Sequence, residues 1–409
     1  MDKAVNSSDR LNAIKDLKDT KDTRKAAPVK KRAPGPVRWF RRMLKRVLSV
    51  VIAALFILNL VVPDREFSPR ENRNLATLPR LSGQSLADGS FFTGLSDYWS
   101  DQFFLRDTCI EVRTSALKLI GRREINDIYL GKDGYLIQEP VVPDSDALEK
   151  TTKAVNAFTA AHTDIKSYML MVPGAAAILT DKLPADAPVR DQLSDIQDVT
   201  SDLTGVTILD AASPLQEGKD EDIYYRTDHH WTLLGAQKVY ESVAESMGIT
   251  PELTGTNHVV SKNFRGTQAS GSGSMSSEDT ISVYVPDETD VKWLVSYPDS
   301  GEKSASFFDA DKLDTADQYA VFFGGNHPRV EIETTNRNGK VLLVFKDSYA
   351  NCFIPFMVPQ YEKIIMIDPR YYYDSLQSLM SSEGITDVLY LYSANTLLQD
   401  KSLADVLGS

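Results

Sequence analysis

Between Val47 and Val62 the chain reads VLSVVIAALFILNLVV, sixteen residues without a charge, preceded by RRMLKR and followed by Pro63-Asp64-Arg65-Glu66. A helix of this length covers about 24 Å, slightly short of the ~30 Å hydrocarbon thickness of a bilayer. Met43 and Leu44 extend it if Lys45 and Arg46 snorkel, and Trp39 suits the interface. The run has no polar face, so it does not read as the core helix of a soluble domain. It lies behind a long basic tail, and Asn59-Leu60-Val61-Val62-Pro63 offers no small-x-small cleavage site. An uncleaved signal anchor is therefore expected rather than a cleaved signal peptide. The positive-inside rule puts the N-terminus in the cytoplasm and everything after Pro63 outside the cell membrane.

Charge is unevenly divided about this run. The formal net charge is −12, yet residues 1–46 hold 15 Lys/Arg against 5 Asp/Glu, which leaves the remainder at −22. The tail has too few apolar residues to fold and is expected to be disordered, its basic run suited to anionic lipid or serving only as a topology signal. The acidic body argues against a nucleic-acid groove, where affinity comes from cations paired with phosphates. With 42% hydrophobic and 25% charged residues, the chain has globular proportions, and 409 residues suggest two or three folded units. Cys109 and Cys352 can make at most one bridge and read most simply as buried thiols.

Periodicity gives the organisation. Residues 67–79 (FSPRENRNLATLP) are polar and irregular, a stalk or strap. Phe91, Leu95, Tyr98, Trp99, Phe103, Ile110, Val112 and Leu117 follow at helical spacing, which predicts helices packed on a core. Ile128–Ile137 is two apolar runs about a Gly-containing turn, a β-hairpin. Beyond it helices (148–161, 191–203, 232–247, 349–357, 375–381) alternate with strands (165–172, 206–209, 341–345, 364–367, 387–391). Such alternation predicts an α/β fold, a Rossmann-like three-layer α/β/α sandwich with a mainly parallel sheet. Residues 253–337 break the pattern with SGSGSMSS and short alternating runs, and are expected to form a β-rich insertion or lid over the active face. The expected division is thus 1–46 tail, 47–62 transmembrane anchor, 63–120 stalk and packing helices, and 121–409 the main domain.

Among five histidines, two are adjacent in Tyr224-Tyr225-Arg226-Thr227-Asp228-His229-His230-Trp231-Thr232. Asp228 and His230 are two apart, so in an extended segment they face one way and the carboxylate can orient the imidazole. Ser348 follows a buried strand and opens a helix, which displays a hydroxyl beside helix N–H donors. Together they suggest Ser348 as nucleophile, His230 as general base and Asp228 as its orienter. Alternatives remain open: Ser348 as a helix N-cap, Asp228 and His230 as a buried pair, or a metal-dependent phosphoesterase on Asp228, His229 and His230.

Thr227-Asp228-His229-His230-Trp231-Thr232 resembles the signature of the bacterial DHHW family and is similar to the T-D-x-H-W-[ST] motif of alginate O-acetylation proteins and their SGNH-hydrolase-like relatives. Further matching pieces are Glu71-Asn72-Arg73, Asp101–Arg106, Lys346-Asp347-Ser348-Tyr349 and Asp368-Pro369-Arg370-Tyr371. The resemblance implies an SGNH-hydrolase-like fold and an extracytoplasmic O-acetyltransferase or esterase. The substrate would be a surface polysaccharide or wall polymer, with a membrane-bound O-acyltransferase as acyl supplier and no cofactor or resident metal. Asp228, His230 and Ser348 match residue by residue. His229 takes the variable position, with a supporting or substrate-facing role. Arg226, Tyr349, Asn351 and Arg370 are secondary candidates for substrate contact or oxyanion donation, beside the backbone N–H of Ser348 or Tyr349. A catalytically inactive glycan-binding or scaffold subunit is the competing reading.

Overall fold

The computed structural model describes residues 36–71, 73–251, 253–287 and 291–408. The expectation for residues 1–35 of the tail lies outside them. An unbroken helix occupies Pro36–Val61, so residues 36–46 are helical rather than part of a disordered tail. Within it, Arg38–Val61 is 24 residues with a mean hydropathy of 2.1, long and apolar enough to cross a membrane. At about 36 Å it clears the ~30 Å that sixteen residues alone fell short of. This helix and the compact unit 64–409 are separate bodies. The helices between residues 83 and 119 belong to the same compact unit as everything after them.

The compact unit is built on one eight-stranded sheet. We number its strands in chain order: β1 Lys166–Val172, β2 Val206–Ile208, β3 Trp293–Tyr297, β4 Glu302–Ser304, β5 Arg329–Thr334, β6 Val341–Lys346, β7 Lys363–Ile367 and β8 Asp387–Ser393. Their spatial order is β4-β3-β5-β7-β6-β8-β1-β2. The five strands β7-β6-β8-β1-β2 are parallel, with Val344 opposite Met366 on one side and Leu389 on the other. β5, β3 and β4 extend the β7 edge in antiparallel fashion.

Both faces of the parallel part are covered, and the strands show it by period 2. Leu342, Val344, Leu170, Val172, Leu389 and Leu391 enter one core with helices Leu233–Val243 and Ala350–Met357. Leu343, Phe345, Met169, Met171, Val388 and Tyr390 enter the other, against helices Ser145–Ala161, Leu376–Glu383 and Ser402–Leu407. This is the three-layer α/β sandwich expected from the alternation.

The insertion is β-rich, as expected, and most of its strands join the main sheet. Rather than forming a separate lid, it contributes β3, β4 and β5 to the main sheet. Its first part is a bulged hairpin, Thr256–Phe264 with Asp279–Val285, and the Ser/Gly-rich connection begins as a short helix, Thr267–Ser272. Single-strand patterning could not distinguish an added antiparallel edge from a separate sheet, since pairing is decided between distant segments.

The helices before residue 120 also differ. Ser90–Asp101 and Arg106–Leu119 form, but their only fully buried residues are Asp101 and Thr114, and Cys109 is exposed rather than a buried thiol. Ions tie the strap to them. Asp101 takes Arg73 Nη2 at 2.6 Å and Nη1 at 2.8 Å and the Ala76 N–H at 2.8 Å, while Arg106 pairs with Glu71 and lies 3.4 Å from Asp101. Hydrogen bonds from Arg73, with the Ala76 N–H and the Arg106 charge, outweigh burial and hold the Asp101 carboxyl down at about 2. The Glu71, Arg73, Asp101 and Arg106 of the two short family-like motifs are one ion cluster. Asp101→Ala leaves Arg73 and Arg106 without this shared partner. Because Arg73 is partly exposed and Glu71 still pairs both arginines, it should lower the unfolding free energy by about 2 kcal/mol, the scale of hydrogen bonds to a charged group, and speed proteolysis within residues 66–80.

Candidate active site

The carboxyl ends of the parallel strands gather the site, as open α/β sheets do. After β6, Asp347-Ser348-Tyr349 turns the chain into helix Ala350–Met357. Asp347 holds this turn: its Oδ1 accepts the Tyr349 N–H at 2.9 Å, and its Oδ2 accepts the N–H and hydroxyl of Ser393, at the end of β8, at 3.0 and 2.7 Å. Ser348 is left free of capping, so its hydroxyl does not do what an N-cap serine does.

The second element is the loop before helix Leu233–Val243, which Thr232 caps through the Gly235 N–H. Tyr224 and Trp231 pair across it, and the Tyr225 N–H donates to the His230 carbonyl at 3.3 Å. The fully buried Trp231 donates its indole N–H to the Tyr349 carbonyl at 3.0 Å and stacks on Phe353. One side chain thereby ties the His230 loop to the Ser348 turn.

There the three expected side chains meet. His230 Nε2 lies 2.7 Å from Ser348 Oγ, and His230 Nδ1 lies 2.5 Å from Asp228 Oδ1. An ionised carboxylate on Nδ1 assigns the ring proton there and leaves the Nε2 lone pair facing the hydroxyl. Asp228 is buried and fully engaged: Oδ1 also accepts the His230 N–H at 3.0 Å, and Oδ2 accepts the Thr267 N–H and hydroxyl at 2.8 and 3.0 Å. Burial alone would raise its carboxyl. The neighbouring His229 and His230, with these hydrogen bonds, instead hold it far below the usual carboxylate range. The Tyr319 ring stacks on His230 at 3.8 Å and 10°.

His229 lies beside the relay, its ring centroid 3.9 Å from that of His230 and its Nδ1 3.7 Å from Asp228 Oδ1. Because the Thr267 hydroxyl donates to Asp228, it accepts from His229 Nδ1–H, 2.7 Å away. Burial, reinforced by the adjacent His230, lowers the His229 imidazole to about 4. It is therefore neutral at pH 7, with Nε2 as an acceptor. His229 lines a groove of about 480 Å³ with Gln138, Gln192, Gln268, Tyr349 and Asn395. Gln192 is fixed by the Gly174 N–H and by Asn395 Oδ1.

The secondary candidates divide. Tyr349 donates its hydroxyl to the His229 carbonyl, and its own N–H is taken by Asp347, so of the two backbone donors only that of Ser348 is uncommitted among the described residues. Asn351 is buried, accepting from Lys346 Nζ at 2.9 Å and donating to Asn326 at 3.3 Å, so it is spent on the fold. Arg226 turns to Asp222 at 2.7 Å and lies over the Tyr135 ring, outside the groove. Arg370 is fixed on Asp368 by two hydrogen bonds, and its charge is among those that depress His229.

Sequence reasoning missed Thr267, Tyr319 and Gly266, all from the insertion, and Asp279, which accepts the Arg226 and Thr227 N–H groups at 2.9 and 2.7 Å. Only Trp231 carried a signal, as part of the motif. A Cβ at Gly266 would fall 2.2 Å from Asp228 Oδ2, so this position requires glycine for close approach. Asp228, His229 and His230 each offer a ligand atom within 4.8 Å of the others, the grouping a metal would need. Both ring nitrogens of His230 and both oxygens of Asp228 are already committed to hydrogen bonds, which a cation would have to break.

Lys346 is wholly buried beside Ser348, its ammonium lowered to about 8 by burial against the pull of Asp368. Its unfolded value is higher, so between pH 8 and about 10.5 the unfolded chain binds more protons and stability rises with pH. The unfolding free energy of the wild type relative to Lys346→Met should therefore increase across that window, measured by denaturant titration at successive pH values.

Residues 128–309 match the family model described as an SGNH hydrolase-like domain, acetyltransferase AlgX; the match includes Asp228 and His230 and ends before Ser348. Among solved structures, a DHHW family protein from Eubacterium siraeum is 25% identical with a TM-score of 0.60, over 70% of this chain and 96% of that one. Bacillus cereus PatB1 shares the fold at 19% identity and a TM-score of 0.56, over 66% of this chain and 96% of its own. PatB1 with a sulfonyl adduct matches at the same identity and TM-score, over 68% and 98%. No curated protein matches the chain. With a three-layer sheet whose strand ends gather Asp228, His230 and Ser348, the compact unit is similar over residues 128–309 to the SGNH hydrolase-like domain described for the acetyltransferase AlgX.

Proposed function

We propose that the chain is a membrane-anchored, extracytoplasmic serine O-acyltransferase or esterase, most simply for O-acetyl groups, acting on a surface polysaccharide or wall polymer. The observation that carries this reading is the hydrogen-bonded series Ser348 Oγ, His230 and Asp228 at 2.7 and 2.5 Å. The description of the matched family as an acetyltransferase supports an acyl-ester chemistry.

In the first step Ser348 Oγ attacks the acyl carbonyl carbon while its proton passes to His230 Nε2. The resulting imidazolium is stabilised by Asp228 and returns the proton to the leaving oxygen of the donor, leaving an acyl ester on Ser348. In the second, a polymer hydroxyl gives its proton to His230 Nε2 and attacks that ester, and the imidazolium returns the proton to Ser348 Oγ as its bond to the acyl group breaks. Water in place of the sugar makes the same enzyme an esterase. The Ser348 N–H is suited to the developing oxyanion. His229, neutral and lining the groove beside the relay, is suited to accept a hydrogen bond from a substrate hydroxyl. A membrane-bound O-acyltransferase remains our candidate for the acyl supplier, and helix Arg38–Val61 for the anchor, with its basic N-terminal side in the cytoplasm.

A fluorophosphonate serine probe tests the relay. Intact-mass spectrometry should find a single adduct on the wild type and none on Ser348→Ala or His230→Ala, with both variants folded. A folded wild type that takes no adduct would sink the triad in favour of an inactive glycan-binding scaffold. Gly266→Ala, which drives a methyl into Asp228, should slow probe labelling by about 100-fold, the scale of a 1 Å misplacement at a catalytic group.

A further inference from the structure

We infer that helix Arg106–Leu119 lies in the headgroup region of an anionic bilayer and so sets how the domain stands on the membrane. Its inner face is committed to the domain: the Thr114 hydroxyl donates to the Ser272 carbonyl at 2.9 Å, and Lys118 donates to Ser274 at 2.7 Å. Its outer face is apolar. Leu105, Cys109, Val112, Ala116 and Leu119 recur every three or four residues along one side, all exposed, and Ile120 continues the stripe. Leu119 is 91% exposed and Ile120 78%. A contiguous apolar stripe of this kind marks an interaction surface.

Charge selects the occupant. The acidic side chains of this helix are paired, Asp107 with Arg65 at 3.0 Å and Glu111 with Arg70 at 3.3 Å. Arg113, Arg122 and Arg123 are exposed and form no ion pair among the described residues. Residues 64–123 hold nine basic and eight acidic side chains, whereas residues 124–409 carry a net charge of −23. Unlike the rest of the folded unit taken as a whole, this layer carries no net negative charge to repel anionic lipid, and an apolar stripe rimmed with arginine is the pattern of an interfacial helix. The chain itself delivers it there. Asp64, two residues beyond Val62, accepts the Tyr98 hydroxyl at 3.0 Å, and Arg65 bonds Gln102 and Asp107. The inference rests on the reading of Arg38–Val61 as a membrane anchor.

Cys109 exposes its thiol on the stripe and Cys352 is buried, so a thiol-reactive, environment-sensitive fluorophore marks this face of the full chain. The labelled chain would be reconstituted in phosphatidylcholine vesicles with and without phosphatidylglycerol. With phosphatidylglycerol, a lipid carrying a shallow nitroxide should quench most of the emission, and the quenching should be lost in Val112→Glu/Leu119→Glu while the protein still resists carbonate extraction. Equal quenching by aqueous iodide in vesicles and in detergent would overturn the inference, as would a spectral shift that follows protein-to-lipid ratio without nitroxide quenching, the behaviour of a second copy covering the face. Carbonate release of the wild type would instead remove the anchor reading. Nitroxide quenching retained before that wash would keep the interfacial helix, and its absence would remove both.

Discussion

A single buried negative charge organises the candidate site. An ionised carboxylate out of water is costly unless it is paired and its lone pairs are filled, and Asp228 meets that condition with donors from two distant stretches of chain. His230 supplies its ring and backbone N–H groups, and Thr267 supplies a backbone N–H and a hydroxyl. Satisfying Asp228 therefore brings the insertion onto the loop, demands glycine at 266 and fixes the tautomers of both histidines. The proton on His230 Nδ1 and the lone pair toward Ser348 are consequences of that charge.

The parallel sheet provides the other constraint. Strands that run side by side in one direction deliver their carboxyl ends to one edge, and β6, β8 and β1 there present Ser348, Ser393 and Gly174. Asp347 and Gln192 then join these ends to one another through backbone and side-chain hydrogen bonds. The turn at Ser348 is thus held by its neighbours, which leaves its own hydroxyl available. Trp231 completes the arrangement from below, since its indole is both a core side chain and a hydrogen-bond donor to the turn.

Charge is separated along the chain as well as within the site. A basic N-terminal segment, an apolar helix, a nearly neutral helical layer and a strongly acidic body follow one another in sequence. Such an order suits a protein whose parts meet different surroundings in turn. The groove beside His229 is lined with amide side chains and a neutral imidazole.

Much of this was legible in the residues. The apolar run, the alternation of strands with helices and the D-x-H spacing each follow from local geometry: helix length against bilayer thickness, period 2 against period 3.6, and side chains two apart on an extended segment sharing a face. The sequence by itself therefore determined the membrane-competent helix, the three-layer class and the identities of Asp228, His230 and Ser348. It did not determine that Asn351 and Arg226 are spent on Lys346 and Asp222, that the insertion extends the sheet, or that the helices before residue 120 leave an apolar face uncovered. Nor did it reveal Thr267, Tyr319 and Asp279. Those outcomes belong to the tertiary structure: Thr267 and Asp279 find their partners dozens of residues away, which no local pattern records, and the near-sequence pairs Asn351–Lys346 and Arg226–Asp222 depend on which way side chains turn once the fold is packed.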